Sequence, residues 1–400
     1  MYNIPIIVVG VKRFIRAGKK KSKSLFFFDD DLPSVSLVVP AKNEEKVVGR
    51  LLKALVNLNY PSSKKEIIVV NDESNDRTGQ ICSQYASRHP EIRVFHRPVS
   101  TTKAAALNFG LKRAHGEIIA TFDADSVLES DTLLKAVKYF EDRKVVAVQG
   151  RICSINTNEN ILTRFSYYER TVQYEVYTQG KDTLNLFVGL AGTCQFIRHS
   201  VLEEVGGWNE KTLSEDVELS LRLTEKNYTI RYASDVRTWE ETPNSIMGMV
   251  RQRARWYRGN IELGLKFGKL LKKLNRRSFD AEMTLFGTYL ILLCVVTYFM
   301  AAWSFMLPPD FILTLITRFS STITLAILAF AGVALVCVDK PFRLSNLIWL
   351  PFIYAYWGFQ SFIAMYALVQ ILFRRPLKWS KTRRSGIVTA EHVKKILATD

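Results

Sequence analysis

The chain is poor in the residues that build disulfide frameworks and metal clusters. Its 400 residues include only five cysteines and five histidines. Cys82, Cys153, Cys194, Cys294 and Cys337 are widely spaced, odd in number and never arranged as C-x-x-C. That pattern excludes a disulfide framework and a cysteine zinc site, and it suits a reducing compartment. His96, His115 and His199 are equally scattered, as surface or packing residues are rather than ligands. Acidic residues are in the minority, with 38 Asp and Glu against 55 Lys and Arg, a net charge of +17. Such an excess points to an anionic partner, but no basic, aromatic-interleaved nucleic-acid module is present, so no nucleic acid is expected. Near the N-terminus a long apolar run is missing too. Ile4 to Val11 is too short to span a bilayer, and charges follow it rather than precede it, which argues against a cleaved signal peptide. It reads as an interfacial anchor.

The cations gather at Lys12 to Lys23, Lys266 to Arg277 and Arg374 to Arg384. The last two clusters flank apolar runs, as juxtamembrane basic segments do near anionic lipid. Three such runs, Leu285 to Leu307, Phe311 to Val338 and Leu347 to Phe373, are each long enough to cross about 30 Å of hydrocarbon. Arg318 lies in the second, so its spanning part is expected to begin near Ser320. Trp303, Trp349 and Trp357 suit interfacial or helix-packing roles. If the soluble part is cytosolic, three crossings place the tail RRPLKWSKTRR outside, against the positive-inside rule. Either one segment is re-entrant or interfacial, or the N-terminal run contributes.

Between Val35 and Arg151 strands and helices alternate. VSLVVP (Val35 to Pro40), EIIVVND (Glu66 to Asp72), IRVFHR (Ile92 to Arg97), GEIIATFDAD (Gly116 to Asp125) and VVAVQG (Val145 to Gly150) read as strands. Helices are expected over Glu44 to Asn57, after an Asn75 or Asp76 cap, over Lys103 to Arg113 and over Ser130 to Glu141. Continuously apolar strands separated by helices imply a parallel sheet covered on both faces, with ligands at the carboxyl ends of its strands. Asn43, Glu44, Asp72, Asp123 and Asp125 fall there.

FDADS places Asp123 and Asp125 two apart after a strand, where carboxylates can hold a hard divalent cation or simply cap a turn. LSEDVELSLRL puts Glu215 and Asp216 at the entry of an amphipathic helix. Ser214 is expected to cap it, and the acids either oppose the helix dipole or supply a general base. In RQRARWYRG, Gln252 and Arg255 share a helix face. A guanidinium suits a diphosphate, and the Trp256 ring suits a flat ligand. Lipid headgroups would attract the same residues.

The ordered set VPAKNEE, VVNDESNDRT, TTKAAALNFG, FDADS, GGWNEKTLSED and QRARW, followed by membrane helices, resembles the processive membrane branch of family-2 glycosyltransferases, such as cellulose, chitin, hyaluronan and poly-N-acetylglucosamine synthases. The resemblance covers Val35 to Gly259 and the architecture beyond. It implies an α/β, GT-A-type, Rossmann-like, mostly parallel sheet with helices on both faces, followed by C-terminal transmembrane helices. It also implies a nucleotide-diphosphate sugar donor, uridine by analogy, and Mg²⁺ or Mn²⁺. Carried over, Pro40, Glu44 and Asp72 line the nucleotide pocket, Lys103 holds the donor, Asp123 contacts the nucleotide side and Asp125 the metal. Asp216, beside Glu215, is the base. Gln252, Arg253 and Arg255 close over the diphosphate. Trp256 stacks beneath the acceptor sugar, which Thr193 and Trp208 border. Two positions depart from the family pattern: Ser214 stands where threonine is usual, and Glu73 where glycine is common.

The expected organisation is a basic segment over 1–33, a catalytic domain over 34–260, a basic amphipathic interface over 261–284, membrane helices over 285–373 and a basic tail over 374–400. The expected activity is inverting, metal-dependent transfer to a growing β-linked polysaccharide. Addition of a single sugar to a lipid-linked or other acceptor is the alternative, and a non-catalytic membrane scaffold a third reading. Membrane lipids, and accessory or oligomeric partners, complete the expectations. The enzyme would sit in the cell membrane with its catalytic domain on the cytosolic face. A transporter is excluded by the span count and by the lack of paired intramembrane charges.

Overall fold

The continuous apolar runs become central strands. A computed structural model describes residues 3–17, 31–267, 275–304, 306, 311–338 and 344–376. Strands β1 (Val35–Ala41), β2 (Lys65–Asp72), β3 (Ile92–Arg97) and β4 (Ile118–Thr121) form the parallel half of an eight-stranded sheet, with β1 between β2 and β4. Val35 pairs with Lys65 on one side and Ile118 on the other. The chain winds from β1 outward to β3 and then returns to β4, so a switch point falls between β1 and β4, where α/β sheets open a crevice.

Connecting segments alternate between the two faces. Leu37 and Val39 of β1 pack with α2 (Val48–Val56), α3 (Thr78–Ala86) and α5 (Thr132–Val137) in one core. Val38, between them, points to the other core, with α4 (Lys103–Leu111), α8 (His199–Glu204) and α9 (Glu215–Glu225). That is the period-2 rule applied to a strand buried on both sides. The mostly parallel α/β sheet with helices on both faces therefore forms as expected.

Several details differ. The fourth strand stops at Thr121, leaving Asp123 and Asp125 in the loop beyond it. The α3 cap is Arg77 by position, though Asp76 supplies the cap chemistry: its Oδ1 accepts from the Thr78 N–H at 2.9 Å. The fifth expected strand, β6 (Val145–Ser154), is not a neighbour of β4. β7 (Gln195–Arg198) lies between them, antiparallel to both. β8 (Thr229–Glu240) then pairs parallel with β6, and the short β5 (Val127–Leu128) pairs antiparallel with β8 at the edge. Four residues of β7, QFIR, are too few for periodicity to reveal.

After β6 come α6 (Ile161–Thr171), a π-helical turn (Val172–Thr178) and α7 (Gln179–Thr183). Helix α1 (Asn3–Ala17) buries Ile6 and Phe14 and exposes Ile4, Val8 and Ile15. Helix α10 (Ile246–Phe267) carries the RQRARWYRG stretch. α11 (Arg276–Ser304), α12 (Phe311–Val338) and α13 (Leu350–Leu372) follow. α11 starts well before its apolar run because its first turns pack against the α/β part. Asp280, fully buried, pairs with Lys181 of α7 at 3.1 Å and accepts the Phe187 N–H at 2.9 Å. Arg276–Trp303 and Leu344–Leu372 are long and apolar enough to cross a membrane, and only 22% and 39% of those windows is buried. The lysines and arginines of 18–23, 268–274 and 377–384 lie outside the described residues.

Candidate active site

A cavity of about 500 Å³ opens at the carboxyl edge of β2, β1 and β4, between α9, α10 and the α6–π segment. The sheet supplies Pro40 from β1, Asp72 from the last position of β2, and Asp123 and Asp125 from the loop after β4. The helices supply Lys103, Glu215, Asp216, Gln252, Arg253, Arg255 and Trp256. Glu44 and Thr193 join them from loops. Residues as distant in sequence as Pro40 and Trp256 thus line one volume, with one exception among those expected. Trp208 is outside the lining: it is 2% exposed, packed in the core beneath α4. Asn108 pins its backbone there, donating to its carbonyl and accepting from its N–H.

At the β2 end of the cavity, Asp72 is buried and engaged. Arg97 pairs with it at 2.7 Å and the Ser100 hydroxyl donates to it at 2.5 Å. The neighbouring Glu73 has φ of 57°, in the left-handed region. That conformation is easy for glycine and strained for other residues. Here Glu73 is held by Lys42 at 3.2 Å and by the Ser100 N–H at 3.1 Å.

At the centre, Lys103 Nζ donates to Asp123 at 2.5 Å and to the Gly192 carbonyl at 3.0 Å. Burial opposes its charge, but Asp123, Glu215 and Asp216 outweigh burial and hold it protonated above the ordinary lysine range. Gly192 has φ of 76°, and a Cβ there would lie 3.2 Å from both Asp216 Oδ2 and Lys103 Nζ. A glycine is therefore needed for the turn and for the space beside the carboxylate. The turn is held from behind by Gln149, which accepts the Ala191 N–H and donates to the Thr193 carbonyl. The Thr193 hydroxyl accepts the Asp123 N–H at 3.1 Å, so it braces the Asp123 loop.

Glu215 and Asp216 begin α9, as expected, but Ser214 makes no side-chain cap. α10 crosses at that point: a Cβ on Gly259 would sit 2.1 Å from Ser214 Oγ. The serine hydroxyl is packed under α10 instead of turning to the helix N–H groups. Gly259→Ala should displace α10 from α9 and lower kcat about tenfold or more, since sub-ångström misplacement of reacting groups has effects of that order. Steady-state kinetics would check it, and an unchanged kcat would refute the close-packing argument.

Burial pushes both carboxyls of the pair up. Asp216 repels a charge on Glu215, while Lys103 and Arg255 favour the ionised forms. Asp216 Oδ1 accepts the Val217 N–H at 2.8 Å.

The arginines divide. Arg253 is ion-paired with Glu169 and lies over the Trp256 ring at 4.6 Å. Its charge is therefore already matched by a protein carboxylate, although it also lines the cavity. Arg170 stands 3.8 Å from Glu240. Arg255 lines the cavity with no carboxylate at ion-pairing distance among the described residues, and its buried Nε–H has no partner. Sequence reasoning missed Glu169, Arg170, Gln173 and Tyr174, which also line the cavity. Gln173 and Tyr174 belong to the π-turn, which has no periodic signature although such turns are common at functional sites.

Among the described residues no three His, Cys, Asp or Glu side chains converge on one point. Asp123 and Asp125 are an all-oxygen pair facing the cavity, the donor type that Mg²⁺ or Mn²⁺ takes when phosphate oxygens and water complete its shell. The residues therefore fit a cation brought in with a diphosphate.

A family model described as glycosyltransferase-like family 2 matches residues 33–259. A probable glycosyltransferase of Bacillus subtilis (strain 168), YdaM, is 38% identical over 273 residues, covering 66% of this chain and 65% of that protein. The β-monoglucosyldiacylglycerol synthase of Nostoc sp. (strain PCC 7120) is 31% identical over 370 residues, 89% of this chain and 77% of that one. A mannosyltransferase from Pyrobaculum calidifontis, solved with GDP-Man and Mn²⁺, shares the fold with a TM-score of 0.61 at 21% identity, over 93% of this chain and 96% of that one.

Proposed function

The chain belongs to the glycosyltransferase-like family 2, and on that premise we propose that it transfers a single sugar from a nucleoside-diphosphate sugar to a membrane-held lipid hydroxyl, inverting the anomeric carbon. The observation that carries the transfer chemistry is the convergence of Asp216, the Lys103–Asp123 pair and Arg255 on one cavity at the switch point. Pro40, Glu44 and Asp72 take the nucleoside end. Arg255 and Gln252, on one face of α10, take the diphosphate. Asp123 and Asp125 would hold a divalent cation, which when bound would supply charge neutralisation at the diphosphate. Asp216 accepts the proton of the acceptor hydroxyl as that oxygen bonds to the anomeric carbon and the sugar–phosphate bond breaks. Attack opposite the leaving group converts an α-linked donor into a β-linked product. Trp256 offers the flat face on which the acceptor rests.

Two facts favour a lipid over a growing polymer. A lipid glucosyltransferase aligns through 89% of this chain, beyond the catalytic part. The apolar helices α11 and α13 leave Phe286, Leu293, Phe299, Phe352 and Phe362 exposed, as lipid-facing residues are. Both facts support a reading in which α11 and α13 lie in a membrane and the cavity opens at its surface.

The full chain in detergent micelles with diacylglycerol should be given labelled UDP-glucose, UDP-N-acetylglucosamine and GDP-mannose, with Mg²⁺ or Mn²⁺. One donor should yield one labelled lipid product and stoichiometric nucleotide release, abolished by EDTA and restored by the cation. A ladder of lengthening products would support polysaccharide synthesis instead. No product from any donor would overturn the proposal.

A further inference from the structure

Glu169 was not singled out by any motif, yet it joins three helices. It sits on α6 at the cavity wall. Its Oε2 receives the Arg253 guanidinium of α10 and the Tyr356 hydroxyl of α13, the latter at 3.2 Å. Its Oε1 receives the Gln360 amide of α13 at 3.1 Å. Gln360 in turn accepts the Tyr257 hydroxyl of α10 at 2.7 Å, which closes the circuit. Tyr356 and Gln360, four apart on one helix face, are 7% and 3% exposed.

Polar side chains buried in an apolar helix are expensive unless every group is satisfied, and a satisfied network fixes one geometry. Here the geometry it fixes is Arg253. Glu169 holds the guanidinium over Trp256, 4.6 Å from the ring centroid. The cation is thereby neutralised by a protein carboxylate, while Arg255, two residues later on α10, has none at pairing distance among the described residues. Two arginines of one motif are assigned to different work.

We propose that Glu169 is a positioning residue for the acceptor: it commits Arg253 to the floor formed by Trp256, and helix α13 holds Glu169 in place through Tyr356 and Gln360. The membrane helix therefore shapes the acceptor side of the cavity and leaves the donor side to α10 and the sheet. This rests on the sugar-transfer reading above, with Trp256 under the acceptor.

The test separates acceptor from donor. Glu169→Gln keeps the size and removes the charge. It should raise the KM for diacylglycerol about tenfold, with donor KM within about twofold of wild type. Tyr356→Phe and Gln360→Leu should shift the acceptor KM the same way by about threefold. If all kinetic constants fall together with the melting temperature, the residue is merely structural and the proposal is wrong. Nucleotide binding supplies an arm that needs no acceptor. Arg253→Gln should keep the affinity for UDP or GDP, whichever the wild type binds, within about twofold. A loss of tenfold or more would place Arg253 on the diphosphate and overturn the inference. If wild-type protein makes no lipid product but Arg253→Gln still binds nucleotide normally, the lipid reading fails while the assignment of Arg253 stands.

Discussion

Asp216→Asn should lower sugar transfer by about 10³-fold, within the range that positioned acid–base groups contribute, while leaving nucleotide affinity nearly unchanged. The substitution keeps the shape and the Val217 N–H contact at the start of α9. What it removes is the atom that takes the acceptor proton. The pH dependence offers an independent check. Burial raises Asp216 above its ordinary range, and Glu215 bears in addition the repulsion of Asp216. The two carboxyls therefore titrate as a pair, and both are raised chiefly by burial. A base works only when unprotonated, so kcat should fall as pH drops through the raised pKa of Asp216. That acid limb should lie above the usual carboxylate range, and it should vanish in Asp216→Asn. Isothermal calorimetry with nucleotide, alongside pH–rate profiles, would decide the point. Equal loss of binding and turnover would remove Asp216 from the role of base.

How much of this was legible beforehand follows from range and periodicity. β1 and β2 were readable because central strands buried on both faces are continuously apolar, and their ends located Pro40 and Asp72. β8 was not, because TIRYASDVRTWE alternates buried residues with charged ones in a strand that carries both a parallel and an antiparallel partner. Ser214 read as a cap from its neighbours alone. What cancels that reading is Gly259, a residue of another helix that arrives against its hydroxyl. Trp208 was assigned to the acceptor border only through the family resemblance, yet it packs in the core, its backbone clamped by the Asn108 side chain. Glu169 was invisible for the same physical reason. Its partners Arg253, Tyr356 and Gln360 meet it only through tertiary packing. Local pattern identified which residue types could act. It could not apportion Arg253 and Arg255, since that choice depends on one carboxylate supplied from α6.

The second large effect follows from that apportionment. Arg255→Ala should reduce kcat/KM by about 10²-fold or more, the scale of losing a preorganised charge at a developing anion. Its guanidinium lines the cavity without a carboxylate partner among the described residues, and a planar fork of donors matches a diphosphate as an ammonium does not. Arg255→Lys should therefore recover only part of the loss. Nucleotide affinity should fall with it, unlike in Asp216→Asn. A further consequence distinguishes Arg255 from a simple binding group. Its charge favours ionised Glu215 and Asp216. Removing it lets burial raise both carboxyls further, so the acid limb of the pH–rate profile should move to higher pH. One residue would then both receive the departing diphosphate and keep the base ready, which links the two ends of the transfer electrostatically. An acid limb that stays in place in Arg255→Ala would show that the two ends are independent, and unchanged nucleotide affinity would remove Arg255 from the diphosphate site.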